Sequence, residues 1–174
     1  MRSTTTRNII FTALCIAIGL LLPQLVKFVP IAYPGAVLLP MHIPVLVCGF
    51  LCGWRFGAVA GILTPIIASL LTGMPPLFPT AVSMMAELAA YGMLTGLLYK
   101  LTNGKILISL VGAMLGGRIV LGIVNAMLFS MVDNAYGLAL FLSGAFVTAL
   151  PGIIIQLILV PIIIRSLQRA NVMA

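Results

Sequence analysis

Apolar runs of about twenty residues recur six times along this chain, each ended by a proline-rich, glycine-rich or charged stretch. A run of that length crosses the roughly 30 Å hydrocarbon core of a bilayer as an α-helix. In lipid, a helix satisfies its own backbone hydrogen bonds, so six such runs predict six spanning helices. Composition agrees. Of 174 residues, 63% are hydrophobic and 6% are charged, against roughly 25% charged in an ordinary soluble domain. The reading is an all-α integral membrane bundle, one domain over residues 1–174, with no room for a separate soluble domain. Arg2 and Arg7 precede the first run and imitate a signal peptide, but no A-x-A site follows, so the run is read as an uncleaved first helix.

The segments fall as follows. The first runs from Asn8 to Val26, and the second from Ala36 to Gly53 with a polar break at Pro40-Met41-His42-Ile43-Pro44. A short turn, Trp54-Arg55-Phe56, leads to the third, Gly57 to Thr72. Gly73 to Pro79 is too proline-rich for a helix interior. The fourth covers Thr80 to Tyr99 and the fifth Ile106 to Met131. A loop at Val132 to Tyr136 carries Asp133, and the sixth segment runs from Gly137 to Ser166, kinked or broken at Pro151 and Pro161. No long internal repeat is visible, which argues against inverted-repeat transporter folds.

Charge sets the orientation. With six spans, both termini and the second and fourth loops share one side, which holds Arg2, Arg7, Arg55, Lys100, Lys105, Arg165 and Arg169. The other side holds Lys27 and Asp133. Short cytoplasmic loops retain Lys and Arg, so both termini are expected in the cytoplasm. The net charge of +7 is dispersed and has no aromatic or polar binding face, which excludes a nucleic-acid partner. Cys15, Cys48 and Cys52 lie in apolar stretches without metal-ligand spacing and read as small buried hydrophobes, so no metal or cofactor is expected.

Two charges remain, Glu87 and Arg118, and both fall inside spans. A charge at membrane depth is expensive and faces a partner or a wet cavity. Glu87 lies thirteen residues from Lys100, Arg118 thirteen from Lys105, and His42 thirteen from Arg55. At 1.5 Å per residue, all three sit about 20 Å above the cytoplasmic edge. Two readings stay open: a structural Glu87–Arg118 pair, or a substrate cavity in the outer half of the bundle reached by one of them. Asn125, seven residues beyond Arg118 and on nearly the same helix face, supports the cavity. His42 reads equally well as a satisfied buried histidine or as a ligand contact. Gln156 reads as a helix-to-helix hydrogen bond. Ala13-x-x-x-Ala17, Gly49-x-x-x-Gly53, Gly57-x-x-x-Gly61, Gly92-x-x-x-Gly96 and Gly112-x-x-x-Gly116 have close-packing spacing. There is no phosphate loop of the G-x-x-x-x-G-K-[ST] type and no nucleophile-and-base set, so an enzyme is not expected. Uphill transport would draw its energy from another subunit.

The chain resembles the substrate-binding S components of energy-coupling factor (ECF) transporters, the vitamin uptake systems of bacteria and archaea. The likeness rests on size, six spans, Ala13-x-x-x-Ala17, the stretch Leu39-Pro-Met-His-Ile-Pro-Val45 followed by Gly49 to Gly61, and Gly73-Met-Pro-Pro-Leu-Phe-Pro-Thr80 ahead of Glu87-Leu-Ala-Ala-Tyr-Gly92. It implies that Ala13 and Ala17 form a smooth face for a transmembrane coupling subunit, with two cytoplasmic ATPases docked beneath it. It implies a vitamin held near the outer face under lids at Lys27–Pro34, Gly73–Pro79 and Met131–Tyr136, then released inward as the subunit topples. The expected substrate-binding set is Arg118, Glu87, His42, Asn125 and Tyr91. Pantothenate ranks first because its carboxylate suits Arg118. Pyridoxine or hydroxymethylpyrimidine ranks next. The alternative is a non-transport scaffold or assembly subunit in which Glu87 and Arg118 are purely structural.

Overall fold

A computed structural model describes residues 2–130 and 143–172. Helix α1 spans Arg2–Val26. The second span is broken into α2, Pro34–Leu38, and α3, His42–Cys52, where Leu39 takes a left-handed conformation. Helix α4 covers Trp54–Thr72, and a wide π-type turn at Leu77–Ala81 leads into α5, Val82–Leu101. Helix α6 covers Ile106–Ser130. A second π-type turn at Ser143–Thr148 precedes α7, Leu150–Arg169. Six spans are long and apolar enough to cross a membrane, and no strand occurs among the described residues.

Several boundaries differ from the sequence reading: α1 begins at Arg2 rather than Asn8, and His42, Ile43 and Pro44 belong to α3, so the break in the second span ends at Met41 rather than Pro44. Trp54, Arg55 and Phe56 are the first turn of α4 rather than a connecting turn. Gly53 alone makes that connection, with a φ of 86° that an L side chain rarely adopts. The expected start of the sixth segment at Gly137 lies outside the described residues; among those described, its long helix starts at Leu150, where Pro151 suits a first helical turn that needs no N–H. Pro161 stays inside α7. The expected loop at 132–136, with Asp133, lies outside the described residues.

Helix α3 is the axis of the bundle. Ten of its eleven residues are buried, as an all-round apolar helix requires. It packs on α1, α4, α5 and α7. Lipid gives no hydrophobic drive between helices, so close backbone approach holds the seam instead. A Cβ on either Gly57 or Gly92 would strike the backbone of the other, and one on Gly61 would strike Leu88. Gly49 is closed off by the Gly92 carbonyl and Gly96 by the Gly53–Trp54 backbone. Three of the expected small-residue motifs therefore meet at one α3–α4–α5 junction. Gly112 and Gly116 face the Leu98 and Leu94 side chains. Ala13 and Ala17 instead lie exposed on α1. The three cysteines are free and buried.

Candidate functional site

Three spans bring charge to one level. His42 opens α3 directly after the break, Glu87 lies in α5, and Arg118 lies midway along α6. The hairpin between α5 and α6, turned by Asn103 and Gly104 in left-handed conformations, sets the last two side by side. The Glu87 carboxylate stands 3.1 Å from Arg118 Nη1 through Oε1 and 3.5 Å from His42 Nε2 through Oε2. All three residues are at most 5% exposed. The counting from basic anchors therefore places them correctly in one layer.

Tyr91 follows Glu87 by one helical turn and so shares its face. Its ring meets the His42 imidazole edge-on at 5.3 Å. Gly117, beside Arg118, makes room for that ring, since a Cβ there would overlap it. Asn125 is buried on α6 and engaged in the protein's own interactions.

The layer is not internally satisfied. Arg118 Nε and Nη2, His42 Nδ1 and the Tyr91 hydroxyl have no hydrogen-bond partner among the described residues. The contacts to Glu87 are close in distance but lack hydrogen-bond geometry at Oε1 and at His42 Nε2. Gln156 is fully buried in α7, and both ends of its amide are also unpartnered. This corrects the expectation of a helix-to-helix hydrogen bond. A buried polar group without a partner costs about 1–3 kcal/mol.

Gly152, one turn before Gln156 in α7, packs on the backbone of Val37 and Leu38 at the end of α2. Beside Arg118 a recess of about 130 Å³ opens between α6 and α7, walled by Val111, Met114, Phe146, Ile153 and Leu157. Arg118 also contributes to the wall, and the exposed lining among the described residues is apolar. Sequence reasoning singled out Gln156 but read it as a helix contact, and it did not find the α7 wall, which carries no spacing signal.

Fold and site together define a multi-pass membrane protein that keeps an ion pair and unpartnered polar groups among its helices. The chain belongs to the substrate-specific components of ECF transporters: the family model "ECF transporter, substrate-specific component" matches residues 7–164. No match is found among curated proteins or among solved structures. Members of this family are substrate-binding transport subunits rather than enzymes, and they associate with a membrane coupling subunit and ATPases.

Proposed function

We propose that this chain captures a vitamin at the outer face of the cytoplasmic membrane and delivers it inward with a coupling subunit and two ATPases. Both termini lie in the cytoplasm on this reading, as the Lys and Arg distribution requires. Pantothenate is the favoured substrate, with pyridoxine or hydroxymethylpyrimidine next. The observation that carries this is Arg118. Glu87 faces only its Nη1, while the Nε and Nη2 edge is unpartnered. That edge offers two parallel N–H donors, the geometry that grips a carboxylate bidentately. Glu87 and a substrate carboxylate can therefore share one guanidinium.

The remaining groups fit the rest of such a molecule. His42, Tyr91 and Gln156 supply donors and acceptors for hydroxyl and amide groups. Met114 and Leu157 supply apolar wall for a branched alkyl portion. Asn125 stands further along α6 toward the outer side. Ligand pockets run to about 300 Å³ or more, so the recess must widen to take a whole vitamin. Helices α6 and α7 touch sparsely, which makes their parting the least costly opening. Ala13 and Ala17, exposed on α1, are the proposed seat of the coupling subunit.

The decisive experiment is mass spectrometry of the small molecule released from the purified protein, followed by calorimetric titration with it. Pantothenate is expected, binding at micromolar or tighter. A protein that releases no vitamin and binds none of the three named would leave the scaffold reading in its place.

A further inference from the structure

A second pocket lies well away from the polar layer, at the end of the bundle where α3 turns into α4. Its volume is about 430 Å³, and it sits between that turn, the last turn of α5 and the end of α7. Gly49, Gly53 and Gly96 contribute backbone to its wall, and only at Gly53 would an added Cβ meet open space. Its polar walls are Trp54, Tyr99, Lys100 and Gln168. The Gln168 amide donates to the Tyr99 hydroxyl at 2.8 Å, so the hydroxyl proton remains to be donated elsewhere. Next to the pocket, the Arg55 guanidinium stands 5.1 Å over the Trp54 ring. Arg169 follows Gln168 in the chain. No carboxylate of the described residues answers these cations, because the one described acid, Glu87, is paired with Arg118.

The pocket also adjoins a lipid-facing stripe. Met93, Leu97 and Leu101 recur every fourth residue on α5 and are exposed. Lys100 is four residues beyond Gly96 and three beyond Leu97, so its stem lies between the pocket wall and that stripe. Trp and Tyr mark headgroup level in membrane proteins, and lysine binds phosphate as a point charge. A free anion would use the cations and leave the stripe idle. A molecule with an anionic head and an alkyl tail uses both.

We propose that this pocket seats the headgroup of an anionic phospholipid. Lys100 and Arg55 face its phosphate, the Tyr99 hydroxyl donates to it, and one acyl chain runs along Leu97 and Met93. The site is independent of the vitamin site and of which vitamin is bound.

The test is native mass spectrometry of the full chain released from bilayers of equimolar phosphatidylglycerol and phosphatidylcholine. The wild type is expected to retain phosphatidylglycerol preferentially, by about fivefold for each basic residue engaged. Lys100→Gln, an exposed position, and the double change with Tyr99→Phe should remove most of that preference. Arg165→Gln, at the same end but outside the pocket walls, should keep it. Equal retention of the two lipids by the wild type would overturn the proposal. So would an Arg165→Gln loss as large as that of Lys100→Gln, which would assign the preference to overall charge. A thermal stabilisation by inorganic phosphate equal to that by phosphatidylglycerol would make the pocket a free-anion site and also overturn it.

Discussion

At the residue scale the proposed function rests on Arg118, and the two roles it is given can be separated. Replacing it with alanine removes the proposed carboxylate fork and also leaves Glu87 buried and unpaired, which costs about 3–5 kcal/mol of stability. The double variant Glu87→Gln/Arg118→Met removes both charges. It is expected to recover most of the melting temperature lost by Arg118→Ala while still failing to bind pantothenate in calorimetry. Arg118→Lys keeps the charge and loses the fork, and should bind pantothenate roughly tenfold or more weakly.

At the scale of elements, the glycine seam governs stability. In Gly92→Ala the new methyl meets the Gly57 carbonyl, so α4 and α5 must separate. Overpacking of this kind costs roughly 1–3 kcal/mol, or more where backbone rather than side chain is struck. Gly35→Ala in α2 is the control, since nothing lies within 4 Å of the added Cβ. A helix interior favours alanine over glycine by about 1 kcal/mol, so Gly35→Ala should melt no lower than the wild type. Thermal unfolding in detergent, followed by circular dichroism, compares the two. These motifs were legible as spacings. Which ones met, and that Ala13 and Ala17 stay exposed, was not legible, because a four-residue repeat states that a face is smooth and not what lies against it.

For the whole molecule, the question is how one small bundle serves both a substrate and a motor. Ala13 and Ala17 lie exposed on α1, while the polar layer is built from α3, α5 and α6. Ala13→Leu with Ala17→Leu should therefore leave vitamin affinity unchanged and abolish co-purification with the coupling subunit and uptake in cells. Loss of vitamin affinity in that variant would show that the two surfaces are not separate. Reporter fusions to either end should be active only as cytoplasmic reporters. Active export reporters at the ends would reverse the orientation drawn from the basic residues.

What the sequence determines by itself is the set of spans and the shared level of three of their polar side chains. Transfer of a helix into lipid is nearly additive along the chain, and helical rise is constant, so residue counting from Arg55, Lys100 and Lys105 places His42, Glu87 and Arg118 in one layer. Local chemistry also located the turn at Asn103-Gly104 and a break in the second span, which ends at Met41 instead of running on to Pro44. Only the tertiary structure decided which atoms face which. It left the Nε and Nη2 edge of Arg118 unpartnered, Gln156 without its expected partner, and a recess against α7. It also moved the start of α4 back to Trp54. Those outcomes depend on the rotation of each helix about its axis, which is set by contacts between residues far apart in the chain, and no local pattern encodes that rotation.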